Sequence, residues 1–259
     1  MAKSSSNFGN ILTGKPGVLF LFTLMITLFL TFQLAVKYYP DFEGKNIPLT
    51  IIVNLIFLGL FNFLTYGLLF SVILTSTVIG FRKTNSRNDL IWVAICGLLI
   101  FLFASFIQPK LYARQLELLY AVKTKAPEDN FVVTSGLFED QVATMTLTQL
   151  LEQKSNGNSR SIFTHKNPDR EIVNMFSWPI SILVFYLFGT TFGTRLDGIS
   201  IQIKIVAVLF LIIPIWHFAG KYLNPISTTG TIKFILDRLL SELVLIGLMA
   251  LIIKVSRRR

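Results

Sequence analysis

Hydrophobic positions along this chain fall in long blocks rather than in short alternations. Runs that are apolar throughout, or nearly so, lie at Val18–Val36, Ile47–Gly80, Leu90–Ile107, Ile172–Gly193, Ile199–Ala219 and Phe234–Ile253. A helix needs roughly 20 residues to cross the hydrocarbon core of a bilayer, and all six runs meet that length. The second is long enough to require tilt or an extension past the bilayer. The pattern predicts an all-α membrane protein of six transmembrane helices in two groups of three, Val18–Ile107 and Ile172–Ile253. One hydrophilic segment, Gln108–Glu171, separates the groups. The organisation expected is therefore an N-terminal three-helix half (1–107), a reduced outer segment (108–171) and a C-terminal three-helix half (172–259).

The outer segment opens with Gln108-Pro109 and a stretch, Leu111–Val122, whose apolar residues Leu111, Leu116, Leu119 and Tyr120 recur at helical spacing. That spacing predicts a short amphipathic helix continuing from the third run. A turn at Pro127-Glu128-Asp129-Asn130, an extended piece at Phe131–Phe138, a helical piece at Thr146–Gln153 and a loop at Ser155–Ser161 follow. The two halves show no internal repeat at a fixed period.

Composition agrees with the pattern: 53% of residues are apolar and only 15% charged, against about a quarter charged in soluble domains. The net charge of +10 does not point to nucleic acid, because the basic residues sit at the ends of apolar runs rather than on one folded patch. It reads as topology instead. With both termini, Phe81–Asp89 and Thr194–Ser200 on one side, that side carries a net charge of +9 and the other only +1, drawn from 24 basic and 14 acidic residues. Short basic connections mark the cytoplasmic face, so both termini are expected there. The first run is too long for a signal-peptide core and has no small-residue cleavage site after it; it is expected to stay as the first span.

Chemistry is sparse. The single cysteine, Cys96, excludes a disulfide framework and any CxxC site, and the two histidines, His165 and His217, lie on different segments. No nucleophile–base pair, metal-ligand cluster or phosphate loop is present, and no GxxxxGK[ST] stretch occurs. The expectation is no enzyme, no metal and no cofactor. Charges at or inside the spans are the remaining candidates. Lys37 closes the first run ahead of Tyr38-Tyr39-Pro40, either as a snorkelling interfacial anchor or as a cation meeting an anionic headgroup at a cavity mouth. Arg238 and Glu242, four apart in the first turns of the sixth run, share a helix face with Asp237 nearby, as an ion pair or a lipid-facing site. Lys204 reads as a snorkelling inner anchor and Lys45 as a solvated loop cation. Pro214 is expected to kink the fifth run, with His217 at the interface, and Gly189-x-x-x-Gly193 permits close helix packing.

The stretch from Asp169 to Gly193, with Glu171, Pro179, Leu183, Phe185, Gly189 and Gly193 in place, resembles the fourth-span entry of the lipopolysaccharide-export permeases, the LptF/LptG (YjgP/YjgQ) family. Phe32-Gln33 leading to Val36-Lys37, Gly44–Pro48 opening the second run, Gln108-Pro109 after the third, Phe131–Phe138 and Thr146–Gln153 agree with it as well. The resemblance covers nearly the whole chain. It implies an inner-membrane subunit of a lipid- or lipopolysaccharide-export ABC transporter. Its partners would be a second permease subunit and a cytoplasmic ATPase, and Lys37 would face an anionic lipid or lipopolysaccharide. The chain departs from the family in two places. Asp140–Met145 stands where most of a periplasmic β-jellyroll would be, and the Phe81–Asp89 connection, with Arg82, Lys83 and Arg87 as the candidates for ATPase coupling, is short and basic where the family has an acidic coupling helix. Those departures leave an alternative function: a non-transporting accessory or scaffold protein bound to such a permease.

Overall fold

A computed structural model describes residues 15–82, 87–124, 133, 144–155, 168–195, 198–215 and 231–256. These residues form helices and no strand. In chain order they are α1 (Lys15–Phe42), α2 (Leu49–Phe81), α3 (Arg87–Leu102), α4 (Gln108–Thr124), α5 (Leu147–Ser155), α6 (Pro168–Arg195), α7 (Ile201–Ala207) and α8 (Thr231–Ser256). A π-helical turn, Phe103–Ile107, joins α3 to α4, and a second, Val208–Ile212, extends α7. Apolar runs become helices because a chain in lipid must satisfy its own backbone polar groups.

Five helical stretches are long and apolar enough to cross a membrane: Gly17–Phe42, Leu49–Phe81, Ile91–Thr124, Glu171–Arg195 and Leu239–Ser256. This is the make-up of a multi-pass membrane protein. The fifth expected run appears as the shorter apolar helix Ile201–Ile215; its continuation, with Trp216 and His217, lies outside the described residues. The stretch Leu49–Phe81 has 33 residues, about 50 Å at 1.5 Å per residue, so it exceeds a bilayer core of roughly 30 Å. The extended piece expected at Phe131–Phe138 lies outside the described residues except for Val133, and the helical piece expected at Thr146–Gln153 is α5.

Both π turns precede a proline at the same offset. The backbone N–H of Gln108 bonds Phe103 O just before Pro109, and that of Ile213 bonds Val208 O just before Pro214. Proline has no N–H and its ring crowds the carbonyl four residues back, so one extra residue in the preceding turn relieves the crowding.

Contacts divide the chain into two units. The first comprises residues 1–25, 67–101 and 176–259, and the second 26–66 and 102–175. In the first, α6 presses on the second part of α2, burying Leu69, Ile73, Ile182, Phe185 and Phe188 almost fully. The glycines make this contact possible. A Cβ on Gly193 would stand 2.4 Å from Thr77 O, one on Gly189 2.6 Å from Ile73 O, and one on Gly80 2.5 Å from Thr190 O. Backbone therefore meets backbone at the Gly189-x-x-x-Gly193 step, which is the packing that small residues permit between membrane helices. In the second unit, Leu55 and Leu58 of α2 pack on Leu118, Leu119 and Val122 of α4, with Tyr38 and Phe42 of α1 against them. Gly44, at φ +74, turns the chain between α1 and α2 in a conformation only glycine adopts freely.

The buried face of α4 differs from the expected one. Ala113, Gln115, Glu117, Leu118, Leu119 and Val122 are buried, whereas Tyr120 is 50% exposed. The extra residue of the π turn and the polar partners on α2 select this face over the purely apolar one.

Candidate functional site

The second unit holds an apolar cavity of about 270 Å3 between α1, α2 and α4. Leu34, Tyr38 and Phe42 of α1, Ile52 and Leu55 of α2 and Leu119 of α4 supply most of its wall. Thr31 and Gln115 bring polar groups to it. At Tyr38 the cavity is flanked by two cations: Lys37 Nζ lies 5.6 Å and Lys123 Nζ 5.7 Å from the Tyr38 ring centroid. An ammonium over an aromatic face gains from the ring quadrupole. Lys123 also stands 4.0 Å from an Asp41 carboxylate oxygen, which neutralises part of its charge. Lys37 forms no ion pair among the described residues, and its side chain is exposed. The arrangement can take an apolar chain beside an anionic group.

Lys45, expected to be solvated, is instead a helix cap. Its ammonium donates to Val122 O at 2.7 Å and to Lys123 O at 3.2 Å. The last carbonyls of a helix have no partner within it, and a cation there also complements the helix dipole. Lys45 therefore ties the α1–α2 turn to the end of α4.

Behind the cavity lies a polar network. The Asn62 amide donates to Gln115 Oε1, Gln108 Nε2 donates to Asn62 O at 3.1 Å, and the Thr65 hydroxyl donates to Gln108 Oε1 at 3.0 Å. Asn62, Thr65 and Gln115 are all buried. Nothing in the sequence pattern marks them, because each is a lone polar residue inside or beside an apolar run.

The first unit places its charges differently. Lys204, expected to snorkel, is 1% exposed. Its ammonium donates to Gly193 O at 2.6 Å and lies 5.0 Å from the Phe81 ring centroid. It caps α6 at its second close-packing glycine; the cation turns inward because those terminal carbonyls are the nearest acceptors. Glu242 is 2% exposed and accepts from Ser181 Oγ at 2.5 Å and Ser241 Oγ at 2.7 Å. Asp89 is also buried. An open apolar groove of about 450 Å3 between α3 and α6 is lined by Gly97, Leu98, Phe176 and Pro179 among others, with no charged residue in its wall. Of the remaining candidates, Arg82 is exposed one residue beyond α2; Lys83 and the side chains of Arg87, Asp237 and Arg238 lie outside the described residues. Lys37 and Glu242 thus belong to different units, each with its own partners. Among the described residues no three His, Cys, Asp or Glu side chains converge on a metal position.

Comparison with known family models and with curated proteins returns no match for this chain.

Proposed function

We propose that the chain is the membrane subunit of a lipid- or lipopolysaccharide-handling ABC exporter, similar to the LptF/LptG permeases. In this reading it has six spans in two groups of three, sits in the inner membrane with both termini cytoplasmic, and works with a second permease and a cytoplasmic ATPase. The observation that carries it is the apolar cavity beside Lys37 and Lys123. Apolar walls match an acyl chain, and cations at the same end match an anionic headgroup, whose phosphates gain most from a charged donor where water is partly excluded.

Native mass spectrometry of the detergent-purified protein tests it. Lys37→Ala is expected to reduce retention of anionic phospholipid about fivefold, the scale of one partly screened charge contact of about 1 kcal/mol. Lys110→Ala removes an exposed cation of α4 and is expected to leave retention unchanged. Equal losses from both would replace the site by a diffuse surface charge.

One observation favours the accessory reading as a second. α2 ends at Phe81 and α3 begins at Arg87, so only residues 82–86 join them. Five residues give at most about 8 Å of helix, too little for an element that seats in an ATPase groove. Co-purification separates the readings: an ATPase in the complex supports the exporter, and a permease without an ATPase supports the scaffold.

A further inference from the structure

Three side-chain oxygens in the second unit have no hydrogen-bond partner among the described residues, although their residues are more than nine-tenths buried: Thr27 Oγ1, Asn62 Oδ1 and Ser105 Oγ. All three belong to helical stretches apolar enough to span a membrane, where an unpaired polar group is costly.

They are neighbours through the network already described. A Cβ placed on Gly59 would stand 3.6 Å from Gln115 Nε2 and 3.7 Å from Thr31 Cγ2, so Thr31 and Gln115 flank the same point of α2. Thr27 is one turn from Thr31, Asn62 one turn from Gly59, and Ser105 three residues before Gln108, spacings that put side chains on one face. Asn62, Gln115 and Gln108 are linked directly.

The hydroxyls also refuse the local solution. Thr23 and Thr31 each donate to the carbonyl four residues back, at 2.8 Å; Thr27, midway between them on the same helix, does not. Ser105 lies inside the π turn, two residues before its end, where the regular ladder is interrupted. Turning the Asn62 amide over would satisfy its oxygen and leave its nitrogen unpaired in the same place, so the count of open groups does not depend on that assignment.

We infer that this cluster is a binding site for water: a small hydrated pocket inside the second unit, framed by Thr27, Asn62 and Ser105 and sharing Gln115 with the apolar cavity. A buried water takes two to four hydrogen bonds from such groups, and two hydroxyls beside an amide supply both donors and acceptors. The cavity is thereby amphiphilic in depth, with an apolar wall and hydration behind its Gln115 side. Neither Thr27 nor Ser105 lines the cavity, so the inference goes beyond the lipid reading and survives its failure.

Two measurements on the full chain in detergent test it. On a Cys96→Ser background, Thr27→Cys and Ser105→Cys are expected to react with a small charged methanethiosulfonate at least tenfold faster than Phe29→Cys. Thiols attack as thiolates, and a dry apolar setting suppresses the thiolate by about that factor per unit of pKa. Phe29, on the same helix, is 59% exposed among apolar neighbours. Rates as slow as that of Phe29→Cys would overturn the proposal. Thr27→Val keeps the shape and removes the hydroxyl, and Ser105→Ala does nearly the same. If water pairs these groups, both substitutions lower the thermal midpoint. A midpoint unchanged or raised by both would mean dry, unpaired hydroxyls and would equally overturn it.

Discussion

Replacing Gly193 by alanine probes a contact in which two helix backbones touch. The new Cβ would meet Thr77 O at 2.4 Å, Phe81 N at 2.7 Å and Gly80 C at 3.0 Å. Comfortable carbon contacts lie near 3.5–4.0 Å, so α6 and α2 must part by about 1 Å. All three obstructing atoms are backbone, and no rotamer change can absorb the shift. Overpacking of this kind costs about 1–3 kcal/mol. Gly247 of α8 is the control, because a Cβ there meets nothing within 4 Å. Gly247→Ala should gain up to about 1 kcal/mol from helix propensity, so the two substitutions are expected to differ in sign. The assay is the unfolding midpoint of purified protein in mixed micelles, by denaturing detergent or by heat. Gly80→Ala, which would meet Thr190 O at 2.5 Å, separates the contact from the Lys204 cap because Gly80 is not the carbonyl that Lys204 bonds. A Gly193→Ala protein as stable as the parent would refute the reasoning, and so would a stable Gly80→Ala.

Three further outcomes are expected. A cysteine at Asn158 should react with an impermeant thiol reagent in intact spheroplasts while one at Asn85 should not, and the reverse labelling would sink the assigned topology. Lys204→Met should lower stability by about 1–3 kcal/mol, since the Gly193 carbonyl loses its partner in a buried setting; no change in the midpoint would mean that water reaches that carbonyl. A photoreactive probe at Asn85 in membranes should crosslink to lipid or to another permease; specific crosslinks to an ATPase, lost on charge reversal of Arg82 and Arg87, would favour the exporter over the scaffold.

The helices were legible because an apolar run of spanning length leaves the backbone one way to satisfy itself. The runs Val18–Val36 and Ile172–Gly193 sit inside α1 and α6, and the π turns have a visible cause in Pro109 and Pro214. Burial was much less legible. Lys204 and Lys45 stand at the ends of apolar runs, where a cation usually reaches for water. Each instead reaches a helix C-terminus, α6 or α4, that only the fold brings near. Gln115 and Asn62 look like interruptions in the sequence, and their pairing across 53 positions leaves no local trace. For the candidate site, Lys37 could be singled out from its place at the end of a run beside two tyrosines. Lys123, its companion across the Tyr38 ring, could not, because its own surroundings in sequence are ordinary.

The matched π turns bear on which insertions and deletions the chain can accept. Each holds one residue more than a regular ladder would, and a single deletion within Phe103–Ile107 would restore α-helical pairing while turning everything beyond it by about 100°. Gln108, Gln115 and Glu117 would swing away from Asn62 and Thr65, and Tyr120 would turn toward the interior. The surplus residue thus acts as an indexing pin: it fixes which side of α4 is presented to α2. The same arithmetic applies at Val208–Ile212, so a one-residue shortening at either place should be far more damaging than one in the hydrophilic tract 156–161.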